Sequence, residues 1–183
     1  MRKKLWFALI AAVVLTACGQ QAKQDRNAEI EVGEEMGEYD QDKADLLIAV
    51  MIDNRLQAAL SALAEEKSQN QTLVSFADRT VRELEDVRSK LLSVASAREI
   101  DTPEGLTPEA QAVVDQLDAL TGVEFDRRYL ELTVKLHDAD IERLNEFQSG
   151  EAPILERSAL DETRDFMTRH MEEAQSILNA LPS

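Results

Sequence analysis

The order of apolar and polar positions divides the chain into an apolar run, a polar stretch and a series of helical periods. Leu5 to Val14 is continuously apolar and follows three basic residues, Arg2, Lys3 and Lys4. From Gly19 to Lys43 the chain is rich in Gln and Glu, with little periodic hydrophobicity. From Ala44 onward apolar residues recur at three and four, the mark of a helix face. Ala49, Ile52, Leu56, Ala59, Leu60 and Leu63 define the first such face, and Ser68 to Asn70 offers a turn. Leu73, Ala77, Thr80, Leu84, Val87, Leu91 and Val94 define the second, broadened by Phe76 and Val81 into a bundle-type seam.

Asp101-Thr102-Pro103 and Gly105 break the pattern near Arg98. Thr107-Pro108-Glu109 restarts it with a capping hydroxyl, a proline at the first helical position and an acid suited to the helix dipole. The short helix predicted there runs to about Leu120. A third long helix is predicted from Glu124 to Gln148, with Phe125, Tyr129, Leu130, Leu132, Val134, Leu136, Ile141 and Leu144 as its apolar positions. After Gly150 and Pro153 a last helix carries Leu155, Ala159, Phe166, Ala174, Ile177 and Leu181. No stretch alternates at period two for the length of a strand. The expected fold is all-α, a four-helix bundle with one long crossover connection carrying a short helix. A connection of about 25 residues lets the second and third long helices run parallel, the ferritin-like topology. Simple up-down-up-down threading, with the short helix capping one end, is the alternative.

The N-terminal run has the parts of an export signal: a basic start, a short apolar core and small residues before a cut. It is too short to span a bilayer of about 30 Å as a helix. Leu15-Thr16-Ala17-Cys18 resembles the bacterial lipoprotein box, in which Cys18 is lipidated and becomes the first residue of the mature chain. The alternative is a plain signal cut after Ala17, leaving Cys18 as a free thiol. Residues 1–17 are thus expected to be a lipoprotein signal peptide, 18–43 a lipidated cysteine with an acidic flexible tether, and 44–183 the bundle. As a coil, the tether would span roughly 27 Å; an acidic docking segment over Glu29 to Asp42 is the other reading. Gly19 after the cysteine resembles the outer-membrane sorting default. The expected location is the inner leaflet of the outer membrane, facing the periplasm.

Charge narrows the partners. The chain holds 20 basic and 36 acidic residues. Removing residues 1–17 leaves 17 against 36, a net charge near −19. Nucleic-acid binding needs clustered Lys and Arg, so it is excluded as a function class. Anionic headgroups would be repelled as well, so membrane association must come from the acyl chains on Cys18. Cys18 is the only cysteine, which leaves no intramolecular disulfide and no cysteine-based metal or redox site.

Phe125-Asp126-x-x-Tyr129 followed by His137 resembles a ferritin-like family of uncharacterised bacterial envelope proteins, often labelled predicted outer membrane proteins. Phe76-Ala77 with Val81, and His170-Met171 with Ala174, fit the same family, over about Ala44 to Leu181. That family often carries a glutamate in its first helix and a histidine in its second. The matching positions here are Gln57 and Leu84. Only His137 and His170 correspond to family histidines.

A di-iron or di-manganese bundle uses two Glu-x-x-His pairs and two further glutamates. Val134 and Met167 stand three before His137 and His170, so the motif is absent. With the last turn centred near Gly150, His170 is expected roughly 9 Å along the axis from His137, too far to share an ion. Asp140 and Glu173, each three residues after a histidine, are expected to hydrogen-bond it as neighbours on the same helix face. His137, His170, Asp140 and Glu173 are therefore weak metal candidates, and no cofactor is expected. There is no phosphate loop, no Gly-x-Ser-x-Gly elbow and no His-Glu-x-x-His, so no catalytic residue is assigned. The acidic residues read as solvated helix faces. The expected function is a membrane-anchored, non-enzymatic helical module contacting periplasmic partners, with a ferritin-like metal-binding protein using His137 or His170 as the alternative. An enzyme of unrelated mechanism is a more distant third.

Overall fold

The computed structural model describes the backbone of residues 14–147 and 154–182 and the side chains of 41–146 and 157–182. Residues 1–13 of the expected signal peptide 1–17, the side chain of Cys18, the turn at Gly150 and Pro153, and the side chain of Leu155 lie outside the described residues. Among the described residues every regular element is a helix: α1 (Val14–Lys67), α2 (Gln71–Ala97), α3 (Pro108–Asp118), α4 (Gly122–Phe147) and α5 (Ile154–Ala180). The chain divides into two compact units, 1–42 and 43–183. In the first, the polar stretch expected to be a coil is helical from Val14. Its Gln, Glu, Ala, Lys and Met residues are good helix formers even without an apolar stripe.

The second unit is a helical bundle with sharply defined ends. Asn70 caps α2, its side chain accepting from the backbone of Thr72 and Leu73. Thr107 caps α3 by accepting from Ala110 at 3.2 Å, with Pro108 behind it in the first turn. α2 closes in a Schellman-type turn. Ile100 N–H donates to the Ala95 carbonyl at 2.9 Å and Glu99 N–H to Ser96 at 3.3 Å. Glu99 therefore takes a left-handed φ of 55°, normally a glycine's place. Gly122 opens α4 at φ 62°.

Two apolar clusters fill the interior. One gathers Leu60, Leu73, Phe76, Tyr129 and Ile177 with Leu117 of α3. The other gathers Leu47, Leu91, Leu144, Leu160 and Phe166. α2 and α4 both start in the first cluster and end in the second, whereas α1 and α5 run from the second to the first. α2 and α4 are therefore parallel to each other and antiparallel to α1 and α5. α5 packs along both α4 and α2. The connection from Arg98 returns the chain along the bundle. Ile100 packs on the second cluster and Leu106 on the first, and Arg55 donates to the Glu104 carbonyl at 2.6 Å. Lys67 then pairs with Asp118 at the end of α3.

The buried face of α1 differs from the one the apolar pattern predicts. Ala49, Ile52, Ala59 and Leu63 are only half-buried, while Asn54, Gln57 and Ser61 are fully buried beside Leu47, Val50, Met51 and Leu60. An apolar count misses this because three polar side chains satisfy one another's hydrogen bonds or find partners across the bundle. Gln41–Lys67 is long and apolar enough to cross a membrane. A core helix meets the same test, and this one supplies core residues to both clusters.

Candidate functional site

Between the two apolar clusters lies a polar waist contributed by all four long helices. On α4 the residues Tyr129, Thr133 and His137 recur every four, so they stack along one inward face. α1 supplies Gln57 and Ser61 opposite them. Gln57 Nε2 donates to Thr133 Oγ1 at 2.9 Å and to Ser61 Oγ at 3.2 Å. Ser61 Oγ and the Tyr129 hydroxyl are 3.0 Å apart. Asn54 Nδ2 donates to the Leu84 carbonyl at 3.4 Å, tying α1 to α2. Burial pushes the Tyr129 phenol up to about 12, against the pull of its hydrogen bonds, so it stays protonated. Gln57 Oε1 and Asp126 Oδ1 are buried without a partner.

The histidines complete the waist. His137 is 1% exposed and His170 3%, with ring centroids 6.1 Å apart and planes at 85°. Phe166 lies 4.1 Å from the His170 centroid and 6.0 Å from that of His137. The expected 9 Å offset along the axis does not keep the rings apart. Each side chain on a helix leans toward its own N-terminus. α4 and α5 are antiparallel, so the two imidazoles lean toward one another and close the gap.

Their partners also differ from the expected ones. Asp140 does not bond His137; its Oδ1 accepts from Arg143 Nη1 at 2.7 Å, and Asp53 Oδ2 accepts from the same nitrogen at 2.5 Å. Glu173 does not bond His170; it accepts from Arg79 at 2.5 Å. In each case a guanidinium outcompetes an imidazole, since it is always charged and offers several donors. His170 instead meets α2. Its Nε2 lies 2.6 Å from Glu83 Oε2 and its Nδ1 3.2 Å from Thr80 Oγ1, whose hydroxyl donates to the Phe76 carbonyl. His137 has no partner at either nitrogen.

The electrostatics follow from these surroundings. Burial first, and His170 second, lower His137 to about 3, so it is a neutral ring. Burial also lowers His170, opposed by Glu83. Burial, then the nearby Asp53 charge, raise Asp140 to about 8 despite the pull of Arg143. Asp140 and Asp53 thus share one cation, and Asp140 holds a proton near neutral pH.

The four sequence-level candidates do not assemble into one centre. His137 and His170 meet, whereas Asp140 and Glu173 are taken by arginines. Among the described residues no three His, Cys, Asp or Glu side chains come together as a ligand set. Gln57 and Leu84 are both enclosed within the bundle. The first is occupied by hydrogen bonds to Ser61 and Thr133, and the second is 1% exposed in the core. A surface groove of about 320 Å³ between α1, α2 and the crossover connection is lined by Arg55, Leu84, Arg88 and Leu106 but by neither histidine. Sequence reasoning missed Glu83, Thr80 and Asp53, because partners on other helices leave no trace in local spacing. The Tyr129–Thr133–His137 column was the available signal.

An all-helical bundle with a buried polar waist is the class that the fold defines. Residues 30–177 match the family described as a domain of unknown function, DUF4142, and the chain belongs to it. No curated protein and no solved structure matches the chain.

Proposed function

We propose that the protein is a lipid-anchored cell-envelope protein whose bundle acts by contact with other envelope components rather than by catalysis. The observation that carries this reading is the segment ahead of the family domain. The match begins at residue 30, and the basic start, the apolar run and Leu15-Thr16-Ala17-Cys18 all precede it. Cys18 would carry the acyl chains, and the bundle would face the periplasm from the outer membrane. The parallel course of α2 and α4, with the connection from Arg98 to Thr121 returning along the bundle, supports a ferritin-like topology. The waist supports a non-catalytic role. Its Gln57, Ser61, Tyr129 and Thr133 side chains are engaged with one another in hydrogen bonds.

The surface suits polar contacts. Val123 is the one large apolar residue exposed among the described residues, and residues 43–183 hold 28 acidic against 15 basic side chains. A partner would therefore present basic or neutral polar groups. Fractionation of a Gram-negative host expressing the wild type and Cys18→Ser tests the reading. The wild type should sediment with the outer membrane, and the variant should not. Equal partition of both into the soluble fraction would remove the anchor.

A further inference from the structure

Two buried histidines in contact are unusual enough to ask what the pair does. They are also the only two histidines in the chain. One ring has room for a proton at both nitrogens. His170 Nε2 faces Glu83, and His170 Nδ1 faces the Thr80 oxygen, whose own hydrogen is already given to Phe76. An imidazolium at His170 would thus find an acceptor on each side. Glu83 is 40% exposed, which gives that side access to water. The other ring has nothing. Both His137 nitrogens are buried without a partner, and the titratable side chain in ring contact across the interface is His170.

We propose that the His137–His170 pair is an acid-sensitive latch holding α5 against α4: the first proton is accepted by His170 in place, and a second opens the interface. The charged surroundings, taken helix by helix, leave no other home for the second proton. On α2, Glu83 serves His170, and Arg79 is engaged by Glu173 of α5. On α4, Asp140 is held by Arg143, and Asp53 of α1 holds the same guanidinium. On α5 the ring of Phe166 stands against both imidazoles. A charged His137 would therefore face an imidazolium, an aromatic ring and no carboxylate. Charge there is relieved by moving the ring out toward water, and that requires α4 and α5 to part. Burial lowering both histidines agrees with this order, with the larger effect at His137.

The test uses the whole chain, free of affinity-tag histidines, in a buffer containing a chelator. Proton NMR of the imidazoles should show two resonances. One, assigned by a His170→Gln variant, should titrate smoothly while the protein stays folded. The other should stay at its neutral position until it changes together with the opening. Hydrogen exchange by mass spectrometry, corrected for intrinsic rates, should show peptides of α4 and α5 losing protection at pH 4 at least tenfold more than those of α2. A His137→Leu variant should keep that protection, and should move the opening about one pH unit lower. Should that variant not fold, the wild-type titration and exchange still decide the matter. Two histidines titrating independently near 6.5 in the folded protein would overturn the proposal. So would equal loss of protection in all helices.

Discussion

Gln57 on α1 donates to the Thr133 hydroxyl on α4 at 2.9 Å, across 76 residues of sequence. This one bond couples the antiparallel pair α1 and α4 at the level where the two apolar clusters meet. It also fixes the character of the waist, because the group that α1 places there is a neutral amide.

Gln57→Glu should therefore destabilise the protein. A carboxylate would lose the donor to Thr133 and Ser61 and bring charge into a site 1% exposed. The expected loss is about 2–4 kcal/mol at pH 7 by urea denaturation. A variant as stable as the wild type would mean that the site is wetter than the structure shows.

Leu84→Ala should cost about 2–5 kcal/mol, since it removes a fully buried side chain packed in the second cluster. A loss below about 0.5 kcal/mol, within the range of surface substitutions, would show that α2 presents another face to the core.

Glu99→Gly should raise stability by up to about 1 kcal/mol. Glu99 is exposed and adopts φ 55° in the turn that ends α2, a conformation that glycine reaches without a Cβ penalty. Thermal melts of the two proteins compare it directly. A lowered melting temperature would contradict the Schellman assignment.

The pH profile of stability should carry two opposing slopes. His137 falls from an ordinary 6.5 to about 3 in the fold. The unfolded chain therefore binds more protons between those values, and stability drops as pH falls through that window. Asp140 rises from 3.8 to about 8. There the folded chain holds the extra proton, so stability drops as pH rises from about 4 to 8. Between about 4 and 6.5 the Asp140 slope opposes the histidine slope, to which His170, lowered in the same sense, adds, so the profile is flattened there and declines above 6.5 and below 4. Asp140→Asn should remove the decline above 6.5 and expose the histidine slope below it. Denaturation midpoints from pH 3.5 to 8.5 would reveal this, and an unchanged profile in the variant would contradict the Asp140 assignment.

Much of the architecture is legible in the sequence. The leucine spacing of α2 marks the face that is buried, from Leu73 to Val94. The turn read at Ser68 to Asn70 separates α1 from α2, and Thr107-Pro108 marks the start of α3. The face of α1 was misread because Asn54, Gln57 and Ser61 are buried by pairing, and pairing is a property of four helices together. The helix over the polar stretch leaves no trace for the opposite reason, since helix propensity acts there without an apolar period. Both histidines are buried, but their meeting depends on side-chain tilt across an antiparallel pair. Counting residues from Gly150 does not include that tilt. Partners such as Glu83 for His170, 87 residues apart, leave no local pattern at all.

The central claim is that the bundle is displayed from a membrane by lipid on Cys18. Intact-mass spectrometry of the protein recovered from a Gram-negative host tests it most directly. The account predicts a mature chain beginning at Cys18, heavier than its sequence by the mass of a diacylglyceryl group and an amide-linked acyl chain. A chain that keeps residues 1–17, begins elsewhere, or carries an unmodified Cys18 would contradict it.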